Sequence, residues 1–286
     1  MHITINSNSI DQPDLIKQLD WIYDNKFDGV ELACSSHPKH ADTLWHWDRK
    51  FERPNVHALR NGLCGFKSQT VHANSFSYYD ETYCGLHPLC REIAIDDAIF
   101  AMDLATEVRA ETVTVHSGWL CYGRTPEERE AALGEGLKRL NRLAKAKSIM
   151  LGVKNVDYFA VLDRFRLLAD LELDHVGITL DVGAALSAGT GIPVEPSDTP
   201  PCESFGGIEG FIKEFGTRII HVHVHDVKDG QVGLPLGKGE VDIQSIVTAL
   251  AEVGYDRALC LQPALDRATP EEIIDSKERL RGCLAG

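Results

Sequence analysis

The chain has 286 residues, 43% of them hydrophobic and 25% charged, with a formal net charge of −14. That is an ordinary globular composition, and the length suits a single α/β barrel. It excludes broad, sequence-independent binding to a phosphate backbone, which needs a basic surface, and no run of about 18 apolar residues is present to cross a membrane.

The elements follow in regular alternation. The N-terminal MHITINSNSI lacks the basic and apolar regions of a signal peptide, which predicts a cytoplasmic protein. Within it HITIN (2–6) reads as a strand, and Leu15, Leu19, Ile22 and Tyr23 then fall at helical spacing. DGVELA (28–33) is the second strand, and the segment from 40 to 62 is helical in pattern but interrupted at Pro54.

FKSQTVHA (66–73) is the third strand, followed by a long helix around 87–107. ETVTVHSG (111–118) is the fourth, followed by a charged amphipathic helix from Pro126 to about Lys147. Thr125-Pro126-Glu127-Glu128 carries a cap, a first-turn proline and acids at the positive end of the dipole, and Thr269-Pro270-Glu271-Glu272 repeats that start before the last helix. MLGVKN (150–155), HVGITLD (175–181), RIIHVHVHD (218–226) and RALCLQ (257–262) are strands five to eight.

Eight strand–helix pairs of this length predict a parallel (β/α)8 TIM barrel. A doubly wound sheet is the alternative, but no Gly-rich phosphate fingerprint follows the first strand, so no nucleotide cofactor is expected. Residues 1–286 read as one domain. One long connection, 186–207, carries four prolines after strand six and reads equally as a lid over the barrel mouth or as a surface insertion. Cys34, Cys64, Cys84, Cys90, Cys121, Cys202, Cys260 and Cys283 are scattered with no Cys-x-x-Cys pair, which favours reduced thiols.

In such a barrel the polar residues at the C-terminal strand ends converge on one pocket. From strand three onward those ends supply His72, His116, Lys154 with Asn155, Asp181, His223 with His225 and Asp226, and Gln262. Any one of them has a structural explanation, such as capping a carbonyl or a turn. Six consecutive strands presenting such groups at matching levels point to a functional pocket.

The runs GVEL (29–32), VHANS (71–75), VTVHSG (113–118), KNVDYF (154–159), TLDVGAA (179–185), HVHVHD (221–226) and LPLGKGEVD (234–242) together resemble the xylose isomerase-like TIM barrels. That superfamily includes sugar phosphate isomerases and epimerases and the endonuclease IV-type AP endonucleases. The resemblance implies one divalent metal, Mn²⁺ or Mg²⁺, held by Glu on strand five, Asp on strand six, His on strand seven and Glu on strand eight. The two glutamates of that set often also serve as acid and base next to a carbonyl. The matching positions here are Lys154, Asp181, His223 and Gln262, so both glutamates are replaced. The family's Asp-x-Gly-His pattern on strand six departs too, with Ala184 in the last place.

Those replacements cut about three negative charges to one negative and one positive, a poor set for a hard dication. Should a metal bind, Asp181, His223 and Gln262 are the ligands left to hold it. The alternative is an ammonium in place of the dication, with Lys154 facing Asp181 across the mouth and stabilising a substrate oxyanion. The expected catalytic residues are then Lys154, Asp181, His116 and His223, with His72, Asn155, Gln262, Trp119 and Asp226 binding substrate.

Tyr122 beside Trp119 either stacks on a sugar ring or covers the mouth. Glu31 is expected in an ion pair inside the barrel, and Gly237-Lys238-Gly239 is expected to be turn chemistry rather than a phosphate grip. The predicted function is proton transfer next to a carbonyl of a small sugar, polyol or keto substrate by an isomerase-, epimerase- or lyase-like enzyme. A non-catalytic sugar-binding or accessory subunit is the alternative. An AP endonuclease-like repair enzyme is disfavoured by the net charge and the missing glutamates, so nucleic acid and membrane partners are not expected. Barrels of this family often pair, which makes a homodimer the expected assembly.

Overall fold

The structure is a computed structural model that describes residues 1–34, 53–73, 82–83, 88–118, 125–187 and 199–285. Eight parallel strands close into a barrel: β1 (His2–Asn6), β2 (Gly29–Ala33), β3 (Ser68–His72), β4 (Thr112–Val115), β5 (Met150–Lys154), β6 (Val176–Asp181), β7 (Ile219–Val224) and, as its last member, β10 (Ala258–Leu261). β10 pairs with β1, Ile3 opposite Leu259 and Ile5 opposite Leu261, and this closes the ring. The expected (β/α)8 barrel is what the chain forms.

Period-two alternation explains the barrel wall. Val30, Leu32, Val71, Val113, Val115, Leu151, Val153, Ile178, Leu180, Val222, Val224, Leu259 and Leu261 are all buried and pack outward against the helices. The alternate positions face the barrel axis and are largely polar. Contacts that span the ring prove their direction: Thr114 on β4 meets Thr179 on β6 at 3.0 Å, and His223 on β7 reaches Glu31 on β2.

Helix α1 (Leu15–Asp24) is capped by Asp14, which accepts from Lys17 N, and buries Leu15, Leu19 and Ile22. Helix α2 (Arg53–Gly62) carries Pro54 within its first described turn, where a missing N–H is tolerated; the part of the 40–62 segment before it lies outside the described residues. Helix α3 (Pro88–Val108) follows β3 in the chain, and α4 (Pro126–Lys147) opens on the expected box, Thr125 and Glu128 each accepting from the other's backbone N–H. The same reciprocal bonds join Thr269 and Glu272 at the start of α9 (Pro270–Ala285). Between them lie α5 (Arg166–Asp170), α6 (Val182–Leu186), α7 (Ile208–Phe215) and α8 (Ile243–Glu252).

One element departs from the alternation read in the sequence. After β7 the chain forms an antiparallel hairpin, β8 (Asp226–Lys228) with β9 (Gln231–Leu234). Asp229 and Gly230 turn it at φ 50° and 75°, the Asp-Gly signature of a two-residue hairpin. The cysteines among the described residues, Cys34, Cys64, Cys90, Cys202, Cys260 and Cys283, are free thiols. No helix among the described residues is long and apolar enough to cross a membrane.

Candidate active site

A cavity of about 670 Å³ opens at the C-terminal end of the barrel, lined by His72, His116, Lys154, Asp181, His225 and Gln262 and by residues of the strand-end loops. Lys154 is its centre. Its Nζ lies 2.8 Å from Asp181 Oδ2 and donates to Gln262 Oε1 at 3.1 Å, and the residue is 8% exposed. An ammonium has three N–H donors; two are engaged by these neighbours, and among the described residues the third has no partner.

Asp181 is held from several sides. Its Oδ1 accepts from Ala184 N at 2.8 Å, capping α6, and meets His225 Nε2 at 2.9 Å. Burial works against its ionisation, but the Lys154 ammonium and His225 outweigh that and keep the carboxyl well below the usual carboxylate range. Asn155 locks the Asp181 backbone, accepting from its N–H and donating to its C=O. Asn155, expected to contact substrate, therefore spends both ends of its amide on positioning Asp181.

His225 is the strand-seven histidine at the mouth. Gly233 N donates to its Nδ1 at 2.9 Å, so Nε2 carries the proton given to Asp181. Gly183 makes room for this ring: a Cβ there would lie 1.8 Å from His225 Cε1. His223, expected among the catalytic and metal-ligating groups, sits one layer deeper with no exposure, its Nε2 2.9 Å from Glu31 Oε2.

Strand tilt explains this placement. Asp181 and His223 are register partners, but at a tilt of about 36° neighbouring strands differ in depth by roughly 3 Å. Successive inward side chains on one strand differ by roughly 5 Å, so Asp181 stands between the levels of His223 and His225. The ring that meets it is the upper one.

His72 and His116 complete the wall, with ring centroids 5.2 Å apart. His72 Nδ1 faces the Ala73 carbonyl at 2.8 Å, which places its proton there and leaves Nε2 as a lone pair with no hydrogen-bond partner. Burial pushes its pKa well below the usual histidine value, against the attraction of Glu31, and keeps the ring neutral. His116 Nδ1 lies 3.4 Å from Asp157 Oδ2, and its buried Nε2 likewise has no partner. Asp157 accepts from Gly118 N at 3.2 Å and holds a left-handed backbone at φ 55°, a conformation uncommon outside glycine. The KNVDYF run contains this aspartate, and its pairing with the strand-four histidine is the signal that reveals its place.

Asp226 is turned away from the cavity. Its oxygens accept from Val227 N, Gly237 N, Gly239 N and Val241 N, so this residue, expected to bind substrate, organises the following loop. Those glycine N–H groups are thereby spent, and Lys238 pairs with Glu272 at 2.8 Å, as turn chemistry requires. Glu31 occupies the barrel interior between His221 and His223, as expected. Despite burial, the two imidazoles hold its carboxyl well below the usual range. Trp119, Tyr122 and residues 188–198 of the long connection lie outside the described residues.

The divalent-metal set of the resemblance does not fit these residues. Lys154 Nζ stands between Asp181 and Gln262, where a cation would have to bind, and His223 is committed to Glu31 below. An ammonium brings its own charge to that point and repels a second.

Comparison with known proteins agrees with the architecture. The family described as xylose isomerase-like TIM barrel matches residues 19–283. An uncharacterized protein of Methanocaldococcus jannaschii, MJ1311, is 23% identical over 93% of this chain and 84% of its own length. Among solved structures, a D-tagatose 3-epimerase-like protein superposes with a TM-score of 0.75 at 22% identity, covering 100% of this chain and 97% of the other. D-psicose 3-epimerase from Clostridium cellulolyticum H10, with D-tagatose, gives 0.74 at 15% identity over 99% of both chains. The 3-keto-D-glucoside 4-epimerase YcjR from E. coli gives 0.73 at 15%, over 99% of this chain and 100% of the other.

Proposed function

Because the chain belongs to the xylose isomerase-like TIM barrel family, we propose that the mouth cavity is the active site of an isomerase-, epimerase- or lyase-like enzyme. Its substrate is a small sugar, polyol or keto compound, and its chemistry is proton transfer next to a carbonyl. The observation that carries this reading is the ammonium of Lys154, buried between Asp181 and Gln262 with one N–H left for the cavity. It supplies the electrophile where the family resemblance places a dication.

The remaining groups divide the work. His116, oriented through Nδ1 by Asp157, presents a bare Nε2 that takes the proton from the carbon beside the carbonyl. The C–H electron pair moves into the new C=C bond and the carbonyl π pair onto oxygen, where the Lys154 N–H stabilises the enolate. A proton taken from water on the opposite face, with His116 passing its own to solvent, gives the epimer. Return of the His116 proton to the neighbouring carbon, with that carbon's hydroxyl proton passing to the former carbonyl oxygen, gives the isomer. His72 and Gln262 hold substrate hydroxyls, while Asp181 fixes Lys154. Sugar epimerases of the same fold support the substrate class.

The test is hydrogen exchange into substrate from D₂O, followed by NMR with D-tagatose, D-psicose and 3-keto-glucosides after EDTA treatment. Deuterium should enter next to the carbonyl with the wild type and not with Lys154→Met. Exchange that vanishes with EDTA but survives Lys154→Met would defeat the reading. The loss of both family glutamates also supports a second reading, a sugar-binding or accessory subunit. Saturable binding of these ketoses without any exchange would select it.

A further inference from the structure

We propose that Glu31, His221, His223 and Cys260 form a zinc site inside the barrel, one layer below the mouth. Each residue offers one ligand atom, and the four atoms lie within 4.8 Å of one another. His223 Nε2 is 2.9 Å from Glu31 Oε2, His221 Nε2 is 3.1 Å from Glu31 Oε1, and Cys260 Sγ is 3.6 Å from Glu31 Oε2. Ligands of a tetrahedral zinc, at about 2.0–2.3 Å from the metal, stand roughly 3.4 Å apart. The separations in the cluster, from 2.9 Å to at most 4.8 Å, bracket that value.

Three further observations agree. His221 Nε2 is fully buried and aimed at the Glu31 carboxylate at 3.1 Å, though in poor hydrogen-bond geometry, so it converges with His223 Nε2 on the same carboxylate. Glu31 is steadied as a metal-bound carboxylate would need, accepting from Asn6 Nδ2 at 2.7 Å and Thr114 Oγ1 at 3.4 Å. A second cavity, of about 350 Å³ at the N-terminal end of the barrel, has His221 and Thr70 in its lining and lies on the side of the cluster away from Lys154.

Charge favours zinc. One carboxylate, one thiolate and two neutral imidazoles balance a dication to zero, the state a sealed interior tolerates best. A thiolate with two imidazoles selects Zn²⁺ over Mg²⁺ or Mn²⁺. As the metal binds, the Cys260 S–H bond breaks, the electron pair stays on sulfur to form the Zn–S bond, and the proton leaves to solvent. The site shares only His223 with the mouth set of the family resemblance and leaves Lys154, Asp181 and Gln262 untouched, so it stands whether or not the mouth is catalytic.

The experiment is metal analysis of the intact chain purified without chelator, by mass spectrometry, for wild type, Cys260→Ser and Asp181→Asn. About one zinc per chain is expected in the wild type and in Asp181→Asn, with at least a tenfold loss in Cys260→Ser. Wild-type protein grown on cobalt in zinc-depleted medium should show a near-ultraviolet thiolate-to-cobalt charge-transfer band, which needs no variant to fold. A wild type with under a tenth of an equivalent of zinc and no cobalt band overturns the proposal. So does zinc that survives Cys260→Ser, or zinc lost with Asp181→Asn, which would put it at the mouth.

Discussion

Lys154→Met tests the charge logic of the mouth directly. The substitution keeps the length and most of the volume of the side chain while removing the cation 2.8 Å from Asp181 Oδ2. Asp181, 4% exposed, then keeps only the N–H groups of His225 and Ala184 for its carboxylate. Breaking a buried pair by removing one partner costs about 3–5 kcal/mol. A chain of 286 residues unfolds with an entropy of roughly 0.6 kcal/mol/K, so Tm at pH 7 should fall by about 5–8 °C. Lys154→Met/Asp181→Asn, which removes both charges, should recover most of that loss.

The pH dependence has a definite sign. Asp181 has a depressed folded-state pKa, so its stabilising contribution is present above its unfolded value, near 3.9, and is lost as pH falls through the folded value. In Lys154→Met the largest attraction holding that pKa down is gone, and acid relieves the stranded carboxylate instead. The gap in Tm between wild type and variant should therefore narrow between pH 7 and pH 3. Differential scanning calorimetry across that range reads it. A Tm within 1–2 °C of wild type at pH 7, a pH-independent gap, or a double variant no better than the single one would refute the reasoning.

Three other outcomes follow from the same geometry. His116→Asn should lower kcat by roughly 10²–10⁴-fold with little change in KM, and Asp157→Asn should lower it less, measured by the deuterium-exchange assay. Gly183→Ala places a Cβ 1.8 Å from the His225 ring, so the ring must leave Asp181; a loss of about 1–3 kcal/mol in denaturant unfolding and a marked loss of exchange are expected. Under native conditions a maleimide should label exposed Cys64 quickly, while Cys34 and Cys202, buried with thiols pushed up (Cys202 to about 11), stay unmodified. Peptide mapping that finds Cys34 labelled as fast as Cys64 would show that the outer layer of the barrel opens.

The barrel was legible because its signals are local and repeated: apolar runs with period two, capped helices, and Thr-Pro-Glu-Glu starts that form the expected reciprocal bonds. The facing of Lys154 and Asp181 was legible too, since both end adjacent strands on the inward face. Depth was not. The pattern His221-Val222-His223-Val224-His225 tells that three imidazoles share the inward face, but only tilt and register decide which meets Asp181. Loop contacts are equally silent in sequence, and Asp226 shows it, for its partners Gly237, Gly239 and Val241 lie 11 to 15 residues on. The hairpin after β7 was missed although Asp229-Gly230 announces it, because a strand ending at Asp226 already accounted for the apolar pattern.

The two replacements at the mouth are one change electrostatically. Glutamate at both positions, beside Asp181, sums to three negative charges and calls for an external dication. Lysine at 154 with glutamate kept at 262 would set one ammonium between two carboxylates and leave a buried net charge. Glutamine at 262 with glutamate kept at 154 would leave two carboxylates and no cation. Only with both exchanged does the cluster close on itself: Lys154 balances Asp181, and Gln262 offers a neutral oxygen to the same ammonium at 3.1 Å. A buried pair survives when its charges cancel and its remaining donors are satisfied. The mouth of this barrel meets the first condition and leaves part of the second, one Lys154 N–H, to what enters the cavity.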